Sequence, residues 1–311
     1  MSTNALPAAI GRGSRSIWSD RWRVLKKHRP AMLSLGLLVL LAVFCFSAPI
    51  YAAWMGLDPN GTDLLARFNP PSEINILGTD EIGRDVLLRL MYGGQISLSV
   101  GLLATAFGCI IGVTIGVLAG YLGGRADSFL MRTTDCMIAL PLVPLLVILA
   151  AIDLAKLGLP PEVVQSPTVS FWRIVIIISL VDWTTIARVV RAGTLTVVHQ
   201  DYVLAARVSG GGPPYNIGIH VLPNVATPII VAATLTIGRV ILLESTLSFL
   251  GVGVMPPTPT WGNMLNNAQE LASTAPMLAV YPGLLIFLTV IAFNFLGDGL
   301  RVAFDPRSQQ R

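Results

Sequence analysis

From Leu90 to Gly124 the chain runs 35 residues without a charge. Such a run has few folded homes. It is long enough to cross the ~30 Å hydrocarbon core of a bilayer, which takes about 20 helical residues. Two further runs, Ala31 to Leu57 and Leu271 to Gly297, are also free of charge. Soluble domains average about 25% charged residues; here 12% of 311 residues are charged and 53% are hydrophobic, with a mean hydropathy of +0.70. The chain therefore reads as an integral membrane protein surrounded by lipid. Its net charge of +4 invites a nucleic-acid partner, but the basic residues concentrate where membrane topology needs them, so no nucleic acid is expected.

The runs and the charges between them predict six spans in an all-α, polytopic fold. Residues 1–30 form a basic tail holding Arg12, Arg15, Arg21, Arg23, Lys26, Lys27 and Arg29 against Asp20. Residues 31–57 are too long for the roughly 7–15-residue core of a signal peptide and make the first span. Residues 58–93 form an acid-rich outer loop, in which Thr79 or Asp80 is a candidate helix cap and Asp85 and Arg89 stand at pairing distance. Residues 94–300 hold the other five spans. The third begins near Asp135 and is bent at Pro141 and Pro144; the fourth runs from Phe171 to Ala187; the fifth starts at Val221; the sixth ends near Leu300. Residues 301–311 are a short basic tail. Segments assigned to the inside carry fifteen Lys and Arg and those assigned to the outside five. Both termini are thus expected in the cytoplasm by the positive-inside rule.

Ala104, Gly108, Gly112, Gly116 and Gly120 recur every fourth residue. They lay a stripe of small side chains down one helix face, which lets transmembrane backbones approach closely. Whether the partner helix belongs to this chain or another is open at this level. Cys45, Cys109 and Cys136 have no ligand spacing and read as small core hydrophobes.

The stretch Asp201 to Asn224 is polar and broken by Gly and Pro. It lies in a connection of about 35 residues, far longer than a simple link between spans requires. Tyr202, Ala205, Ala206 and Ser209 share one helical face. Gly210-Gly211-Gly212-Pro213-Pro214 then breaks the helix, and Ile217, His220 and Val221 share a face of the next. Helix, turn and helix at a membrane surface suit docking.

This stretch resembles the coupling loop of bacterial ABC importer permeases. The match is Leu204-Ala205-Ala206, Gly210, and His220-Val221-Leu222-Pro223-Asn224, with Leu204 standing where the family has glutamate. Leu77 to Gly101, Glu244 to Met264 and Phe304 to Arg307 are similar to the dipeptide, oligopeptide and nickel branch, in its C-type subunit. The resemblance implies the type I importer fold, with the coupling loop at 188–220. It implies one of two subunits of a heterodimeric permease in a bacterial inner membrane. Two cytoplasmic ATPases carrying ATP and Mg, and an extracytoplasmic solute-binding protein, would be its partners. Asp201 and Arg207 would make polar contacts to the ATPase, Tyr202, Leu204, Ala205 and Ala206 would lie at the contact, and Gly210 and Pro223 would shape the turns. Di- or oligopeptides are the implied cargo.

Enzymatic signatures are missing. There is no G-x-x-x-x-G-K-[ST] phosphate loop, no nucleophile elbow and no metal-ligand cluster, so no catalysis, metal or bound cofactor is expected. A motor would have to be a separate subunit. A self-contained channel or ion-driven carrier is the other reading, disfavoured because carboxylates within spans are scarce. Among the charges inside spans, Arg239, Glu244 and Asp182 are the pathway candidates. Burying Arg239 costs about 2.5–3.5 kcal/mol on the insertion scale. It could meet an anionic group in a pathway, bridge helices, reach the interface or pair with Glu244. The last two stand about 140° apart round a regular helix, which is poor for direct pairing. Asp182 reads chiefly as a structural contact.

Overall fold

A computed structural model describes residues 17–304 except 159, 165, 267 and 272. Arg12, Arg15 and the ending from Asp305 to Arg311 lie outside the described residues. Its main elements are all helical: α1 (Ile17–Lys27), α2 (Arg29–Phe46), α3 (Ala48–Met55), α4 (Val86–Leu122), α5 (Gly124–Ala139), α6 (Leu142–Ala150), α7 (Pro167–Val198), α8 (Asp201–Val208), α9 (Pro213–Phe249) and α10 (Met277–Phe304).

Among the described residues α2, α4, α9 and α10 are long and apolar enough to cross a membrane, and the α5–α6 pair makes a fifth if counted as one bent span. Against the six crossings expected, four or five helices thus qualify by length and composition, and α7 is not among them. That helix has 32 residues, and its apolar middle, including Ile174, Ile178, Val181 and Ile186, is buried inside the bundle.

The glycine stripe finds its partner within the chain. α4 lies against α7 so closely that a Cβ on Gly112 would come within 2.7 Å of the Trp183 carbonyl oxygen, and one on Gly116 within 2.5 Å of that of Ala187. Only glycine permits this approach. The main core lies beside it, where Val100, Leu146, Ile174, Ile178, Val240 and Leu247 from α4, α6, α7 and α9 pack together. α10 closes the bundle against α9 and α2, and α1 folds over its end through Leu25 and Ala303.

Several boundaries differ from the sequence reading. The first apolar run breaks at Ser47, whose hydroxyl bonds back to the Phe44 carbonyl at 2.9 Å just before Pro49. The third run bends by 86° near Pro141, as expected, but its first helix starts at Gly124 and not near Asp135. Leu140 is extended there because it precedes Pro141, as the proline ring requires of its predecessor. Asp85, not Thr79 or Asp80, caps a helix: its Oδ1 accepts from the Leu88 N–H at 2.6 Å and starts α4 at Val86. Arg89 consequently turns to Asp80, at 3.7 Å, and not to Asp85. α7 continues to Val198, so the first turns of the 188–220 loop extend the bundle helix. Of the cysteines Cys45 is buried, but Cys136 is exposed.

Candidate functional site

α8 hangs between two long helices with almost no slack. Only His199 and Gln200 separate it from α7, and Ser209 to Gly212 from α9. Its first turn holds Asp201 and its last Arg207. Val203 is fully buried and anchors it. Asp201, Tyr202, Leu204 and Ala205 are exposed, and Ala206 is half-buried. The turn needs Gly210, whose φ is +89°, a region costly for side chains. Two backbone bonds close the helix end, Ser209 N–H to Ala205 O and Gly211 N–H to Ala206 O, each 2.9 Å. Asn216 is buried and donates to the Gly211 carbonyl at 2.6 Å.

From Pro213 the chain is helical without a break to Phe249. One wide turn, Ile217–Val221, bonds Leu222 N–H to the Ile217 carbonyl and loosens the winding; such insertions recur at functional sites. It carries His220, whose ring packs between Tyr202 and Tyr215 at 6.0 and 5.9 Å. Pro223 is exposed one turn further on.

Arg207 faces inward. Its guanidinium lies 4.6 Å from the Tyr121 ring centre at the end of α4, and its Nε and Nη2 are buried without a hydrogen bond among the described residues. It therefore ties the loop to the bundle and does not reach out as Asp201 does. The sequence pattern contained no sign of Tyr121 or Asn216, because their contacts join distant segments.

Arg239 pairs with Asp182 and not with Glu244. Arg239 Nη2 stands 2.5 Å from Asp182 Oδ1 and 3.4 Å from Thr185 Oγ1, so the pair bridges α9 and α7.

Residues 112–310 match the model of the binding-protein-dependent transport system inner membrane component, and residues 16–71 that of the N-terminal transmembrane domain of oligopeptide transport permease C. The first match includes the whole α7–α8–α9 unit. The chain belongs to the binding-protein-dependent transport permeases. It is 38% identical to a di/tripeptide transport system permease of Pseudomonas aeruginosa, over 92% of this chain and 91% of the other. It is 33% identical to an oligopeptide transport system permease of Bacillus subtilis, over 96% and 92% of the two chains. It is 35% identical to a glutathione transport system permease of Pectobacterium atrosepticum, over 97% and 95%.

The permease keeps Glu244 apart from the Arg239–Asp182 pair. Glu244 is completely buried. It accepts from Ser248 Oγ at 2.7 Å, Ser97 Oγ at 2.9 Å and Ser245 Oγ at 3.4 Å. A carboxylate so enclosed organises structure and faces no open surface. The Pro/Gly loop after α9 is drawn in by the same serines: Trp261 N–H donates to Ser97 Oγ at 3.2 Å and Val254 N–H to Ser248 Oγ at 3.4 Å. Trp261 is fully buried and its Nε1 donates to the Leu90 carbonyl at 2.9 Å. Asn263 braces the loop through the Thr258 carbonyl at 2.8 Å and the Thr260 N–H at 2.9 Å. A signal existed in the Gly93-Gly94 pair of α4, where a Cβ on Gly94 would come within 2.6 Å of the Trp261 ring. No group of His, Cys, Asp and Glu suited to a metal occurs among the described residues.

Proposed function

We propose that the chain is one half of the membrane pathway of an ATP-driven peptide importer, with both termini in the cytoplasm and six crossings. The observation that carries this reading is α8. A short helix with an exposed face, joined stiffly at both ends to bundle helices, transmits a push or a rotation; a flexible link would absorb it. A homologous permease subunit completes the pathway. Two ATPases, holding ATP and Mg, dock on α8, and an extracytoplasmic solute-binding protein delivers the peptide. Asp201, Tyr202, Leu204, Ala205 and Ala206 form the docking face. Leu204, exposed by 44%, offers an apolar contact where a partner would cover it. Arg207, Gly210 and Pro223 shape the loop behind that face. Peptide as cargo is supported by the likeness to di/tripeptide, oligopeptide and glutathione permeases.

Extraction of the tagged chain in mild detergent tests this. An ATPase and a second permease co-purify with wild type, and Ala205→Asp releases the ATPase while the permease pair persists. If several detergents yield this chain alone, it is a self-contained carrier.

A further inference from the structure

Between α7, α9 and α10 lies an open cavity of about 720 Å³. Its walls are largely apolar, with Pro228 and Leu235 among them, and Thr185 and Asn294 add polar points. Two arginines, Arg239 and Arg301, line it, and no carboxylate does among the described residues. Arg301 lies in the last turn of α10. Arg239 is held from behind: Asp182, only 5% exposed, grips Nη2, while the Arg239 side chain stays 42% exposed. Among the described residues Nη1 and Nε of Arg239 make no hydrogen bond.

An arginine inside a bundle is costly, and among the described residues Asp182 alone pairs with its charge. The fork of donors left over is the part of the group that matches a carboxylate in planar, two-point fashion. Asp182 fixes the orientation of that fork without using it up.

We infer that this cavity is a carboxylate-binding segment of the pathway, in which Arg239 takes the C-terminal carboxylate of a peptide and Arg301 forms a second station for it. Asp182 and Thr185 are positioning residues. The apolar walls accept side chains of varied shape, while the arginines select for the free terminus. This rests on the peptide-importer reading and deepens it.

The test uses the intact complex purified through a tag on this chain, without the solute-binding protein, so that only the membrane subunits can select. The presence of an ATPase in the preparation is checked first; its absence would count against the importer reading and is scored separately. Thermal unfolding is then followed against trialanine and against trialaninamide, which lacks the carboxylate. Trialanine at low-millimolar concentration should raise the midpoint and the amide should not. Asp182→Asn with Arg239→Gln removes both charges together, so neither is left buried alone; it should weaken the trialanine response roughly tenfold or more, ~1.4 kcal/mol. Arg301→Gln, at an exposed helix end, should weaken it too and serves if the double variant fails to assemble. An equal response to peptide and amide, no response in wild type, or a response unchanged in these variants overturns the proposal.

Discussion

Ser97 serves two masters: its hydroxyl donates to Glu244 across 2.9 Å and accepts the Trp261 N–H at 3.2 Å. One side chain on α4 thereby holds both the buried carboxylate of α9 and the loop that follows it. Ser97→Ala breaks both bonds. A lost hydrogen bond costs about 0.5–1.5 kcal/mol, and a stranded buried N–H about 1–3 kcal/mol more. The expected result is a lower unfolding midpoint in detergent, with Trp261 fluorescence moving toward that of a wetter indole. An unchanged midpoint would mean that Ser248, Asn263 and the buried Trp261 ring hold the loop without Ser97.

The glycine stripe predicts a graded series. A Cβ on Gly116 would stand 2.5 Å from the Ala187 carbonyl oxygen, closer than real Cβ contacts come, whereas one on Gly108 finds its nearest neighbour at 3.7 Å. Gly116→Ala must push α4 and α7 apart, at a cost of about 1–3 kcal/mol for overpacking. Gly108→Ala fills ordinary space and should leave the midpoint nearly unchanged. Equal effects at the two positions would refute close α4–α7 packing.

That stripe was legible in the sequence because it depends on spacing alone, as do the apolar runs and the helical face of Tyr202, Ala205, Ala206 and Ser209. Its partner was not, since which helix meets it depends on three-dimensional packing. The same limit explains Arg239. Periodicity placed it within a span and weakened its pairing with Glu244, but Asp182 lies 57 positions away and only the fold brings the two together. Glu244 looked like a pathway group because carboxylates in spans usually are. The serines that enclose it look unremarkable in a sequence. The bend at Pro141 was legible from its proline, but the break at Ser47 was not, because a charge-free run does not distinguish one long helix from two short ones.

Asp85 makes stability depend on pH. It lies before α4, its Oδ1 caps the helix, and its Oδ2 is buried with no partner among the described residues. Burial pushes its carboxyl above the usual range, against the opposing pull of the Leu88 and Leu87 N–H groups. A carboxyl raised in the fold binds its proton more tightly folded than unfolded. Its contribution is present in acid and is lost as pH rises through the folded value. Asn caps a helix about as well as Asp and carries no charge. Asp85→Asn should therefore melt like wild type in acid and gain on it as pH rises toward neutrality. Parallel melting curves across that window would show that Asp85 is ionised without penalty.

The contact between Arg207 and Tyr121 carries a prediction about coupling. A guanidinium 4.6 Å from the ring centre is within cation–π range, worth about 2 kcal/mol when desolvated. It is the direct link from the last turn of α8 to α4, which the glycine stripe locks to α7. If α8 is the element an ATPase moves, Tyr121 passes that movement into the bundle. Tyr121→Phe keeps the ring and loses only the 3.4 Å bond from Asn216, so transport should persist. Tyr121→Leu removes the ring while leaving the exposed face of α8 intact. The ATPase should still bind, but peptide taken up per ATP hydrolysed should fall severalfold. Loss of ATPase binding in Tyr121→Leu would instead make the stack part of the docking surface, and unchanged uptake per ATP would show that α7 and α9 carry the motion without α4.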